Sequence, residues 1–477
     1  MKKRIKIAYI GGGSKLWARV FMSDLALTDN LTGEIALYDI DKPAAIRNAK
    51  ISKYINENPK CKSKFDYVVY EKLDDALINA DFVILSILPG TFEEMRSDVH
   101  EPEKYGIYQS VGDTVGPGGI LRSMRTVPLY EGFAKAIKDI CPNAWVINFT
   151  NPMSICVKTL YDVFPNIKAF GCCHEVFHAQ QFLCRVLKEL KGIDVTRKDI
   201  YTDASGINHF TWINKATYKD IDILTLIPLF KERFFEDGYY EYEGKRFEFL
   251  TNPFAYGNNV KMDLYEKYGC LAAAGDRHLV EFLPLNWYLS SKETVKKWKF
   301  NLTTVDYRIN DMNEKINDSI LMAEGKKEFV LEKSSEEAVE LMKAIMGLGN
   351  VVSNVNIINK GQMKQMPLGS IVETNCIFKE DSVEPIISSN LPIDVVNLIK
   401  VNLDNIELCY QGIKNRDLSI IYKSFKKQPL CCNLTEKQSK ELFIKMCLNT
   451  RKYLDEYFDL EQLNEIWGEK YEKKFWK

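Results

Sequence analysis

Nothing in the 477 residues resembles a membrane span, because Lys, Asp or Glu interrupts each apolar run well short of the roughly 20 residues a bilayer requires. Met1 to Ile10 carries basic residues but passes straight into a short apolar run and glycines, without the longer apolar region and small-residue cleavage site of a signal peptide. A soluble, cytoplasmic protein is the expectation. Charge of either sign is not in excess, since 64 Lys and Arg face 65 Asp and Glu. No long-range field therefore draws nucleic acid or an anionic membrane to the surface, and a small-molecule partner is expected instead. The twelve cysteines lack a framework spacing, even though Cys172 and Cys173, and Cys431 and Cys432, are adjacent. Without a secretion signal they read as reduced, small buried hydrophobes, with Cys173 the exception. Histidine is scarce, at five in the whole chain.

The chain is longer than one hydrophobic core normally serves, so two closely packed domains are expected. Ile5 to Ile10 is apolar and β-branched, Gly11-Gly12-Gly13-Ser14 turns the chain, and Trp17 to Leu27 carries apolar residues at helical spacing. A second strand, Glu34 to Tyr38, ends in Asp39-Ile40-Asp41, and a helix with Pro43 in its first turn follows. Further buried strands are predicted at Phe82–Leu88, Trp145–Phe149 and Ala169–Cys173, with a helix at Val127–Ile140 among the intervening segments. This alternation predicts an α/β protein with a Rossmann-type, doubly wound parallel sheet over residues 1–195. Residues 196–477 read as a mixed, mainly helical domain for substrate, metal and assembly, with amphipathic stretches at Thr303–Ala323, Ser335–Met346 and Thr435–Phe458. No Gly-, Pro- or Ser-rich linker separates the parts, which predicts a shared interface where a ligand pocket forms.

Gly11, Gly13 and Ser14 open a helix after a strand, placing backbone N–H groups and a positive helix end where a pyrophosphate sits. Leu16 departs from the third glycine of the usual dinucleotide pattern, and an ordinary tight turn is the alternative. Asp39 ends the second strand about 26 residues after Gly13, as expected of a carboxylate that bonds ribose hydroxyls and favours NAD over NADP. Asn148-Phe149-Thr150-Asn151-Pro152 falls at the ligand-binding edge of the sheet, where the amides of Asn148 and Asn151 can orient hydroxyls or merely start an Asx turn. Cys173-His174-Glu175-Val176 follows another predicted strand, and thiolate beside imidazole suits a metal or a nucleophilic pair. His209 is a second possible ligand, weighed against a satisfied core histidine. His174 to His178 also matches H-E-x-x-H, the zinc protease pattern, but it begins at a strand end inside a nucleotide-binding pattern and reads as a coincidence.

With Gly11–Ser14, Asn148–Pro152, Cys173–Val176 and Asn208-His209 in this order, the chain resembles glycoside hydrolase family four. The likeness continues through Gly106-Ile107, Gly116–Ile120, Leu121–Pro128, Gly275–Leu279 and Leu368–Glu373, and ends near residue 375. The resemblance implies that NAD serves as a resident catalyst and that Cys173 and His209 bind a divalent metal, manganese. Thiolate is a soft ligand for manganese, so the metal's identity rests on the resemblance alone. It implies hydride removal from C3 of the sugar, proton removal at C2, elimination at C1, addition of water and return of the hydride, an exception to the two-carboxylate route. Asp276 is the expected base at C2, with Tyr265 and Tyr268 in reserve and a helix cap as the alternative role. His174 occupies the position that assists the leaving group in some relatives.

The Cys-His-Glu-Val tetrad lacks the Asp or Asn after cysteine, and the fourth-position Pro, of members that act on 6-phosphosugars. An unphosphorylated α-glycoside is therefore implied, first an α-galacturonide and otherwise the substrate of an α-glucosidase or α-galactosidase. A uronate carboxylate needs a cation, for which Arg277, Arg96 and Arg125 are the candidates. The expected assembly is a homo-oligomer, dimer or tetramer. A hydroxy-acid dehydrogenase shares the first half of the pattern but has no use for Cys173, and a non-enzymatic NAD-binding module leaves Cys173, His209 and Asp276 unexplained.

Overall fold

Strand β1 (Lys3–Ile10) sends Ile5, Ile7 and Tyr9 into one hydrophobic cluster and Ala8 and Ile10 into another on the opposite face. The next strands in the sheet divide their side chains likewise, which is why they read as continuous apolar runs: helices cover both faces. In the computed structural model, which describes residues 2–240 and 248–468, β1 is followed by β2 (Leu31–Tyr38), β3 (Phe65–Val69), β4 (Phe82–Leu85), β5 (Trp145–Asn148) and β6 (Lys168–Gly171). These six run parallel in the order β3-β2-β1-β4-β5-β6. That is the doubly wound dinucleotide order, whose direction reverses between β1 and β4. Helices Trp17–Leu27 and Ala338–Ile345 contribute to one face, and helices Gly116–Ile140 and Met153–Val163 to the other.

The sheet does not stop near residue 195. β7 (Tyr201–Ile207), β8 (Phe210–Tyr218), β9 (Ile221–Asp222), β10 (Leu271–Ala272), β11 (Val351–Ile358), β12 (Ile371–Lys379) and β13 (Ser382–Pro385) extend it to thirteen strands. The path continues β6-β11-β12-β7-β8-β10 with antiparallel pairing, and β11 joins β6 where Asn356 faces Gly171. The later helices pack around Ile413, Phe425, Phe443 and Leu454 in the largest hydrophobic cluster, together with Leu121, Met124 and Val127 of helix Gly116–Ile140. No helix among the described residues is long and apolar enough to cross a membrane.

Two helix expectations need correction. The segment predicted to start at Val127 begins at Gly116. Its glycines are close-approach residues rather than breakers, since a Cβ on Gly118 would lie 2.5 Å from Gly112 O and one on Gly119 2.5 Å from Thr114 C. The stretch Thr435–Phe458 is not one helix but Glu436–Asn449 followed by a tight turn at Arg451–Tyr453. Thr450 ends it by turning its hydroxyl back to Met446 O at 2.9 Å.

Candidate active site

Gly11 adopts φ +95°, and a Cβ there would lie 1.9 Å from Ser86 O of the neighbouring strand end. Only glycine fits this turn. Gly13 N–H donates to Asp39 Oδ2 at 2.8 Å, Asp41 N–H donates to Asp39 Oδ1 at 2.8 Å, and Asn48 Nδ2 reaches Gly12 O at 2.8 Å and Ser14 O at 3.0 Å. Helix Trp17–Leu27 begins after Leu16 with no side-chain cap, which leaves its first N–H groups directed past the glycine turn. A glycine cradle, an uncapped helix start and a carboxylate at the end of β2 together fit a dinucleotide.

At the end of β5, Asn148 is fully buried. Its Oδ1 accepts from Tyr130 OH at 2.5 Å and Thr150 N at 3.2 Å, and its Nδ2 donates to Thr150 O at 2.9 Å. The expectation that Asn148 orients a ligand hydroxyl is corrected accordingly: the amide is spent on an Asx-type turn. Asn151 differs, for its Oδ1 is buried with no hydrogen-bond partner among the described residues, while Arg122 Nε holds its backbone oxygen at 3.0 Å.

β7 and β8 form a hairpin whose two-residue tip is Asn208-His209. His209 sits at φ +62°, a left-handed conformation that costs a non-glycine residue about 1 kcal/mol or more. The tip carries the ring into a buried centre, where Nδ1 lies 3.0 Å from Thr114 Oγ1 and the ring centroid lies 4.0 Å from that of His278. Ligand atoms of Asp113, His209 and His278 fall within 4.8 Å of one another. Those of His174, Glu175 and His178 form a second such group. Glu175 joins the two, with Oε1 3.6 Å from His174 Nε2 and 3.8 Å from His278 Nε2, and Oε2 accepting Gly275 N–H at 2.5 Å. Four of the five histidines thus meet here.

Burial lowers the pKa of His209 and takes that of His278 down to about 3, so both rings are neutral donors. Burial works to raise the pKa of Asp113, but its charged surroundings, Arg122 foremost, hold it down at about 2. Two neutral imidazoles and a carboxylate at this spacing fit a divalent cation. The adjacent Asn208 amide is buried within hydrogen-bonding reach of Cys173 and Glu373, which ties the hairpin tip to the thiol. Cys173 is buried beside Met153, Val157 and Ile371 and belongs to neither group. Burial, then Glu373 and Glu175, raises its pKa well above the ordinary thiol value, so the protein without an ion holds it protonated.

The H-E-x-x-H segment starts helix Glu175–Lys191 rather than merely ending a strand. His174 stands at its N-cap position with Nδ1 3.0 Å from Glu336 Oε1, 5.7 Å from the Trp17 ring and 4.8 Å from the His178 ring. Asp276 is fully buried, and its oxygens accept Val260 N–H and Lys261 N–H, each at 3.1 Å, so it caps helix Asn259–Tyr268. Burial raises its pKa to about 6. Tyr265 and Tyr268 lie at the far end of that helix. Of the three candidate cations, Arg125 is locked to Asp98 at 2.5 Å and Arg96 pairs with Asp306 at 2.8 Å on the surface. Arg277 alone lacks an acidic partner within 4.0 Å among the described residues. Asp113 and Arg308 escaped sequence reasoning, whereas Arg122 in Leu121–Pro128 and His278 in Gly275–Leu279 lie in motifs of the family likeness but were given no role.

The chain matches the family 4 glycosyl hydrolase model over residues 6–189 and the model of that family's C-terminal domain over residues 204–431. An alpha-galacturonidase of Thermoanaerobacter italicus is 50% identical over 450 residues, 94% of this chain and 97% of the relative. A solved Bacillus subtilis protein described as a glucosidase shares 43% identity and a TM-score of 0.87, over 93% of this chain and 99% of that one. A 6-phospho-alpha-glucosidase from gut microorganisms, solved with NAD and Mn2+, has a TM-score of 0.77 at 18% identity over 94% of this chain and 99% of its own, a likeness of fold.

Proposed function

Because the chain belongs to the family 4 glycosyl hydrolases and is therefore a glycosidase, we propose that it cleaves an unphosphorylated α-galacturonide with the help of NAD and a divalent cation, manganese by family likeness. The observation that carries this reading is the meeting of Asp113, His209 and His278 in a buried centre on the same sheet whose first turn makes a glycine cradle. The galacturonide is supported by the relative at 50% identity. The dehydrogenase alternative shares only the parallel half, whereas the family likeness covers both halves.

When bound, NAD supplies a hydride acceptor and donor, and the cation supplies Lewis acidity. The turn of Gly11, Gly13 and Ser14, whose own N–H groups are spent on Tyr38 O, Asp39 and Gly11 O, would let the pyrophosphate approach the uncapped start of helix Trp17–Leu27, and Asp39 would take the ribose hydroxyls. Cys173 and His209 hold the cation, joined by Asp113 and His278. Asp276 removes the proton at C2 of the sugar, and the helix start it caps fixes its orientation. His174 passes a proton to the departing oxygen, and the free Asn151 carbonyl accepts a sugar hydroxyl. We assign nucleotide binding to residues 1–195, which contain all six parallel strands and also lend Asp113 and Cys173 to the cation and Asn151 and His174 to the substrate, and the remaining substrate and metal groups and assembly to residues 196–477. The same reading has the enzyme work as a homo-oligomer in the cytoplasm, where thiols stay reduced.

A panel of aryl α- and β-glycosides, uronides included, assayed with and without NAD+, Mn2+ and thiol, tests the proposal. Cleavage should require all three, free NADH should not accumulate, and product formed in D2O should carry deuterium at C2. Cleavage that persists without NAD and leaves C2 undeuterated would return a two-carboxylate mechanism to first place.

A further inference from the structure

Of the four buried arginines, Arg125 alone meets a carboxylate within 4.0 Å, Asp98 at 2.5 Å; among the described residues Arg19, Arg122 and Arg277 do not. What singles out Arg277, only 5% exposed, is its place beside the cation-binding group together with the half-buried Arg308, with no carboxylate within 4.0 Å of either among the described residues. Their hydrogen bonds go to neutral oxygens: Arg277 Nη2 to Thr303 Oγ1 and to Ser110 O at 3.4 Å, and Arg308 Nη2 to Val111 O at 3.4 Å. The Nε of each is buried with no acceptor. Burial and then the charge of Arg308 pull the Arg277 pKa down to about 10. The acids that act on them do so at a distance, Glu175 foremost on Arg277 and Asp113 foremost on Arg308, while Glu281 spends one oxygen on Val111 N–H at 2.7 Å and Gly112 N–H at 2.9 Å. Burial also raises its pKa to about 7.

A buried guanidinium without an anion is costly, and two that repel each other are more so. Such a pair persists where a ligand supplies the missing charge, and planar forks of donors match a carboxylate in particular. We propose that Arg277 and Arg308 together form the subsite that grips the C6 carboxylate of the uronosyl ring and sets specificity against the neutral sugar. Arg277 stands next to His278 of the cation-binding group, and Arg308 is within electrostatic reach of Asp113 of the same group. A carboxylate held here belongs to the sugar ring whose bond is cleaved. The Phe254 ring, 5.0 Å from the Arg277 guanidinium, covers that cation from the side. This inference rests on the galacturonide reading above.

The test compares wild type with Arg308→Met, Arg308→Lys and Arg277→Met on three aryl α-substrates: the galacturonide, the galactoside and the 6-phosphogalactoside, each with NAD+ and Mn2+. Arg308→Met should lower kcat/KM for the galacturonide roughly 100-fold or more, chiefly through KM, since the loss removes a charged hydrogen-bond partner. The galactoside should change by less than about tenfold. Arg308→Lys should recover part of the loss, because it restores charge without the fork. Binding of free galacturonate, followed by calorimetry, should weaken in parallel while NAD binding and Tm hold. Arg277→Met loses the Thr303 contact and serves as a second reading if it folds; the half-buried Arg308 carries the test if it does not. Equal losses on galacturonide and galactoside, or none on either, would overturn the subsite. So would a wild-type preference for the 6-phosphogalactoside that Arg308→Met abolishes. Failure of wild type to cleave the galacturonide while it cleaves another glycoside defeats the functional reading itself, an outcome distinct from the loss of Arg308 dependence.

Discussion

The nucleotide cradle and the reactive centre are built in opposite ways. The cradle is backbone from one short stretch, Gly11 to Ser14, braced by Asp39 and Asn48 from the next strand and helix. The centre consists of side chains from at least four separate segments, with Asp113, Glu175, His209 and Asp276–His278 brought together by the loops at the strand ends and by the β7–β8 hairpin. A backbone site fails when an atom is added to it, whereas a side-chain site fails when one is removed. The contrast also decides where folding and chemistry separate, because the cradle lies in the packed parallel sheet and the centre hangs from its rim.

The largest expected effect comes from adding one methyl group to the cradle. Gly11→Ala combines a forbidden φ with a 1.9 Å clash against Ser86 O. It should cost roughly 3–5 kcal/mol of stability, measured by denaturant unfolding. Gly106 shares a positive φ of 77° but its added Cβ meets nothing within 4 Å. Gly106→Ala should therefore cost only about 1–2 kcal/mol, the left-handed penalty alone. Equal costs at the two positions would break the claim that the cradle is held by close approach.

The reactive centre should behave the other way. Cys173→Ser and His209→Ala each remove a ligand of the proposed cation site, and each should lower turnover by roughly 1000-fold while NAD affinity and Tm stay close to wild type. His209→Gly is the sharper variant, because it deletes the ring and also relieves the strained φ of +62°. Stability should rise by up to about 1 kcal/mol as activity disappears. Full activity in the Cys173 and His209 variants would remove both residues from the proposed cation site.

The same contrast explains what the amino-acid sequence disclosed. The strand, glycine turn and helix at Ile5–Leu27, and Asp39 about one supersecondary unit later, are local signals in one piece of chain, and they predicted the parallel half. The antiparallel extension was hidden, because Val351–Ile358 and Ile371–Lys379 pair with strands far away in sequence, Asn356 with Gly171 and Thr374 with Ser205. No local pattern encodes such pairing. Asp113 was equally silent, an acid between Gly112 and the glycines that open helix Gly116–Ile140 until folding sets it against His209 and His278. Asn148 shows the reverse error: its place at a strand end was legible, but the hydrogen bonds that consume its amide were not. His174 and Glu175 stand between these cases, since their motif was visible and only the structure brings both histidines of H-E-x-x-H beside Glu175.

The smallest effect is expected at Asp39, where the two modes of construction overlap. Its carboxylate is a side chain, yet both oxygens are engaged by the backbone N–H groups of Gly13 and Asp41. It therefore braces the cradle as well as serving as the proposed ribose acceptor. Asp39→Ala removes brace and ribose acceptor together and should weaken NAD binding by roughly 10- to 100-fold, equivalent to about 1.4–2.8 kcal/mol. Chemistry at saturating NAD should continue, because the residue stands apart from Asp113, His209 and His278. Asp39→Asn keeps one carbonyl oxygen to accept from Gly13 N–H, so it should retain most of the brace while losing the charge that favours ribose hydroxyls. If bracing dominates, Asn should bind NAD nearly as well as wild type and Ala should not. If ribose recognition dominates, the two variants should lose affinity alike, and NAD titrations followed by intrinsic fluorescence distinguish the outcomes. Unchanged affinity in both variants would take Asp39 out of the cofactor site and leave the glycine turn without its expected acidic partner.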